Sequence, residues 1–205
     1  MNYFPKKNQF VIFLATIIML PLFVFASDKI QIKSAVIFNT SCAKCHEGGC
    51  SGRMSFQLPK DAANQHILRH GGDLPQVTVE QLFDLLRYMK EECSFYPFDL
   101  ALVKGRIWSS DTLAKLQSPS NQAYFMHLGF LESGSYQLLF EEVNNNFKFC
   151  VEIINEEFDF IDCENIAVQH NQKSLEFQVD ERLEYFLRIK AQKPIHLKRI
   201  ELVGP

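Results

Sequence analysis

The chain has 205 residues, of which 47% are hydrophobic and 22% charged, close to the globular average; wholesale disorder is excluded, and the length suits one large domain or two small ones. Lys+Arg 21 against Asp+Glu 24 leaves a net charge of −3, which excludes a nucleic-acid binder that works through a basic face. The same composition excludes a multi-span membrane protein, and leaves 19 phenylalanines and six cysteines to be placed.

The first predicted element is a leader. Lys6 and Lys7 precede an apolar run over residues 10–25, which ends in Val24-Phe25-Ala26-Ser27. A positive start, an apolar middle and small residues at a cleavage point make a secretory signal, with cleavage after Ala26. The alternative is an uncleaved anchor, but the run falls short of the ~20 residues that span a bilayer, and Pro21 interrupts it. The expectation is an exported, periplasmic protein with no stable membrane span once residues 1–26 are removed. Loss of Lys6 and Lys7 leaves the mature chain modestly acidic.

Residues 34–41 read as a short helix that runs into Cys42-Ala43-Lys44-Cys45-His46. Cys-x-x-Cys-His is the attachment signature of c-type haem. Two thiols on one helical turn reach the vinyl groups of one porphyrin edge, and the next imidazole lies under the iron. A thioredoxin-like redox pair would need a βαβ frame, and a zinc site two more ligands, of which only Cys50 is close in sequence. Residues 61–70 form a second predicted helix, ended by Gly71-Gly72. Residues 77–92 form a third, with Leu82, Leu85, Leu86 and Met89 at helical spacing, and Thr78 and Gln81 as a capping box.

Helix, haem motif, helix, glycine turn, x-Pro and a last helix over residues 28–95 together resemble a monohaem class I c-type cytochrome domain. The resemblance implies one covalent haem c on Cys42 and Cys45, with His46 as proximal ligand. It places Phe38 and Tyr88 at the aromatic positions of the helix crossing, and Ser34 where the family usually has glycine. A carbonyl near Leu58-Pro59 would accept the second His46 proton. The pattern departs at Gly72-Asp73-Leu74-Pro75, because Leu74 stands where the family commonly has its distal methionine. His70 and Met54 are the candidate distal ligands. His66 and Met89 are weaker ones, and a vacant or water-filled position also remains open. A sixth ligand favours electron transfer, and an open position favours binding of a small molecule such as NO or CO.

Cys50, Cys93, Cys150 and Cys163 are even in number in an oxidising compartment, and domain logic pairs Cys50–Cys93 and Cys150–Cys163; buried free thiols are the alternative. Beyond the proline-bearing link near residue 97, Trp108–Leu116 reads as a helical lead-in. Short apolar stretches then follow at 123–130, 136–141, 147–154, 158–161, 166–169, 175–179, 185–191 and 195–203, which indicates a β-sandwich. By pattern alone these resemble jelly-roll carbohydrate-binding or galactose-binding-like modules. Trp108 and the tyrosines could stack on a sugar, although aromatic residues more often fill cores.

The expected architecture is therefore mixed: a signal peptide at 1–26, a small all-α cytochrome c domain at 27–100 and an all-β sandwich at 101–205. The expected function is electron transfer with a redox partner protein, an electron carrier rather than an enzyme, in which the sandwich docks or binds ligand. The alternatives are a haem-based small-ligand sensor and a glycan-binding module that the haem domain supplies with electrons.

Overall fold

A computed structural model describes residues 30–46, 60–96, 98, 106–142, 149–166 and 172–205. The expected leader, Met54 and Cys50 lie outside these residues.

Eight strands dominate: β1 (Ile107–Ser109), β2 (Ala123–Leu131), β3 (Gly134–Glu142), β4 (Phe149–Asn155), β5 (Phe160–Ile166), β6 (Gln172–Val179), β7 (Leu183–Ala191) and β8 (Leu197–Val203). They form two four-stranded antiparallel sheets, ordered β1-β8-β3-β6 and β2-β7-β4-β5. Successive strands change sheet at every connection except the β4–β5 hairpin, which is the jelly-roll arrangement. The stretches expected at 158–161 and 166–169 are replaced by β5, and Trp108 lies on β1 rather than on a helix. A helix does follow, α5 (Ser110–Lys115).

The first sheet follows simple alternation. Along β6, Lys173, Leu175, Phe177 and Val179 are buried while Ser174, Glu176 and Gln178 are exposed. The second sheet does not. In β2 every residue from Ala123 to Gly129 is buried, as are Tyr185 to Ile189 in β7. Strand residues point alternately to opposite faces, so continuous burial means that both faces are covered. Tyr124, Met126, Leu187 and Ile189 share the sandwich side by parity; Phe125, His127, Phe186 and Arg188 share the other.

That second face carries a helical layer: α1 (Ile32–Ile37), a π-helical turn (Phe38–Cys42), α2 (Ala43–His46), α3 (Lys60–Gly71) and α4 (Gln76–Glu92). Phe95, which follows α4, lies with its ring 4.6 Å from Phe186 and 5.8 Å from Phe125. Phe98 lies 5.9 Å from Phe125. Ala35 and Val36 of α1 belong to the same apolar cluster as the sandwich core. On their other side, Ile37 and Phe38 pack with Leu82, Leu85 and Met89 of α4. Helix α1 is thus shared between two cores.

This corrects the expected architecture. The chain is mostly β, two sheets with a few helices, and there is no self-contained all-α cytochrome domain among the described residues. The helices cover a sheet face that would otherwise expose apolar side chains, and α3 contributes no fully buried residue. The class I cytochrome resemblance fails for this reason, and the identity drawn from it is withdrawn. The capping box is also corrected. Pro75 stands at the N-cap of α4 without a side-chain cap, and Gln81 Oε1 instead accepts hydrogen bonds from Ser34 Oγ (2.7 Å) and Gln31 N (3.2 Å) of the α1 segment.

Candidate functional site

The Cys42–His46 motif sits where helix geometry changes. Asn39, Thr40 and Ser41 are weak helix formers whose side chains compete with backbone groups. Asn39 Nδ2 donates to the Ala35 carbonyl (2.9 Å) and Thr40 Oγ1 to the Val36 carbonyl (2.7 Å). The backbone answers with a π turn, in which Ala43 N–H reaches back to the carbonyl of Phe38. Cys42, partly buried, packs against the α1–α4 core, whereas Cys45 is exposed and His46 intermediate. Burial, and secondarily the nearby Cys45, push the Cys42 thiol up to about 11.

Helix α3 brings histidines to the same place. His66 lies edge-on to His46, with ring centroids 6.1 Å apart, and His70, one turn on, lies 4.6 Å from His66. Burial lowers the His46 pKa, and His66, Lys90 and His70 add to the effect. The structure therefore places the candidate ligand His70 behind His66, which is the nearer to His46. Leu74 packs against the α1–α4 core, and Met89 is part of that core. Among the described residues no group of three or more His, Cys, Asp or Glu side chains could hold a metal ion, so the metal-centred description of the chain is corrected too.

The cysteine pairing is corrected in part. Cys150 keeps its thiol. Its strand position faces Asn165, while Cys163 faces Glu152, a diagonal offset of roughly 7–8 Å that a disulfide does not bridge. Cys93, which ends α4 with φ +54°, is disulfide-bonded.

A second site lies at one end of the sandwich, between the β4–β5 and β6–β7 loops. Its cavity is about 540 Å³ and is lined by Asn155, Asp159, Phe160, Gln178, Asp180 and Tyr185, among others. The buried Asn155 accepts, through Oδ1, hydrogen bonds from the backbone N–H groups of Glu157 (3.0 Å) and Asp159 (2.8 Å). Tyr185 donates its hydroxyl proton to the Glu181 carbonyl (2.7 Å) and ties down the other loop. Phe160 keeps half its surface, 51%, exposed at the rim. Sequence reading missed this cleft because its two loops are far apart in the chain and carry no motif. Trp108, the sequence-based stacking candidate, is fully buried instead.

No family model matches the chain, and no curated protein does. Several solved structures share limited similarity with the chain. A family 35 carbohydrate binding module from Clostridium thermocellum is 12% identical, with a TM-score of 0.31, over 40% of this chain and 72% of that one. The Anabaena sensory rhodopsin transducer is 6% identical, with a TM-score of 0.28, over 38% and 85%. The EclA C-terminal domain, a sugar-binding protein, is 11% identical, with a TM-score of 0.28, over 53% and 83%. At such scores none of them bears on function. Among the described residues no helix is long and apolar enough to cross a membrane.

Proposed function

We propose that the protein is a carbohydrate-binding β-sandwich that takes a glycan in the cleft between the β4–β5 and β6–β7 loops. The observation that carries this reading is the half-exposed Phe160 ring on the rim of a cavity lined by amides and carboxylates. A sugar ring offers an apolar C–H face for the aromatic ring, and hydroxyls that both donate and accept hydrogen bonds. Side chains such as Asp159, Asp180 and Gln178 suit those hydroxyls, and the tethered loops present them with little ordering cost on binding. The leader expected at residues 1–26 would export the chain, which suits a glycan ligand outside the cytoplasm. Calorimetric titration with a panel of neutral oligosaccharides tests the reading: a binder should emerge, and Phe160→Ala should weaken it at least about tenfold. Phe130, equally exposed on β2, is the control. Equal effects of Phe160→Ala and Phe130→Ala, or no binder at all, would overturn the assignment.

A second reading is favoured by the composition of the Cys42–His46 turn. Cys42 and Cys45 would hold one covalent haem c through thioether bonds. When bound, the group would supply iron redox or ligand-binding chemistry. His46 would ligate, and His66 and His70 would line the approach from α3. Co-expression with haem-maturation proteins, followed by acid–acetone extraction, is the test: pigment retained on the polypeptide supports attachment, and pigment lost to solvent rejects it.

A further inference from the structure

Arg188 of β7 is buried to 2% exposure, yet its guanidinium spans both halves of the fold. Its Nε donates to Glu152 Oε2 on β4, and Lys190 Nζ donates to the other carboxylate oxygen at 2.8 Å. Arg188 Nη1 donates across the layer boundary to the carbonyl of Asn39, at 3.3 Å. In an α-helix that carbonyl would accept from the N–H of Ala43, but the π turn sends that N–H to Phe38 instead. Arg188 donates to the carbonyl that the α-pattern has given up.

We propose that Arg188 is the positioning residue of the Cys42–His46 turn: anchored by Glu152, it stabilises the π turn that directs Cys42 into the helical core and Cys45 outward. One residue of helical register is a rotation of about 100°, so reversion of the π turn to α geometry would re-aim both thiols and the imidazole. The inference rests on the reading of this turn as an attachment site, but its test does not require any bound group.

The full chain, produced without haem maturation, is alkylated with iodoacetamide, and modification of Cys42 and Cys45 is followed separately by mass spectrometry. Cys42 should react at least about tenfold more slowly than Cys45. Arg188→Met should collapse that difference several-fold. Lys190→Met, which removes a cation from the same carboxylate but does not reach the turn, should preserve it. Should Arg188→Met fail to fold, Arg188→Lys replaces it, because lysine retains the charge but not the two-pronged reach. An unchanged Cys42:Cys45 ratio in a folded Arg188 variant, or an equal change in Lys190→Met, overturns the proposal. Failure of haem attachment in the unsubstituted chain would reject the attachment reading and leave these rates interpretable.

Discussion

The imidazole of His127 stacks on the ring of Phe186, with centroids 4.7 Å apart and planes inclined by 16°. Both residues lie on the sheet face beneath the helical layer. His127 is 5% exposed, and burial pushes its pKa down to about 4 against the smaller, opposing effect of a backbone hydrogen bond with Phe98. Glu184 Oε2 is 3.5 Å away, too far to offset the desolvation, and its own pKa is raised by burial and by Glu156.

A pH dependence follows from this pair of residues. The folded state keeps His127 neutral, whereas the unfolded chain takes up its proton near 6.5, so between 6.5 and about 4 the unfolded state binds more protons and stability falls as pH falls. The full effect, reached once both states are protonated, is roughly 3 kcal/mol. Chemical denaturation across this range should show His127→Phe losing less stability than the parent, with the gap opening below pH 6.5. Parallel curves would mean that His127 is solvated.

Phe95 tests whether helices and sandwich share one core. It is 3% exposed and touches Phe125, Phe158 and Phe186. Phe95→Ala should cost about 3–5 kcal/mol, and should lower the helical and the β signals together in one thermal transition. Separate transitions by far- and near-ultraviolet circular dichroism would show independent units.

Glu152 and Arg188 should behave as a buried pair. Burial raises the Glu152 pKa, but its hydrogen bond from Lys190 and the charge and hydrogen bond of Arg188 outweigh this, and the net shift is downward. Glu152→Ala alone strands a buried guanidinium and should cost about 3–5 kcal/mol, whereas replacement of both residues by methionine should recover most of it. Additive losses in the double-mutant cycle would show that the two side chains are not coupled.

Tyr185→Phe removes one hydrogen bond, to the Glu181 carbonyl, and little packing. Stability should fall by about 1 kcal/mol, and glycan affinity should fall as well, because the β6–β7 loop loses its tether. A stability loss with unchanged affinity would place the ligand elsewhere.

Local order was readable from residue spacing. Stretches such as 175–179 and 195–203 gave β6 and β8 because alternation of apolar and polar residues needs no knowledge of the rest of the chain. Residues 61–70 and 77–92 gave helices α3 and α4 for the same reason, and Cys42, Cys45 and His46 were recognisable because their chemistry lies within one turn. The continuous burial of Ala123–Gly129 and Tyr185–Ile189 depends instead on what lies above the second sheet, and the answer, α1 with Phe95 and Phe98, comes from segments many residues away. Helices that looked like a cytochrome domain when taken alone became a covering layer, because the sheet's outer apolar face is satisfied only by burial against them. The same holds for the contact of Arg188 with Asn39, the proximity of His66 to His46 and the cleft around Phe160. Each depends on groups distant in sequence that meet only after the sandwich has closed, where desolvation and geometry, rather than spacing along the chain, decide which atoms pair.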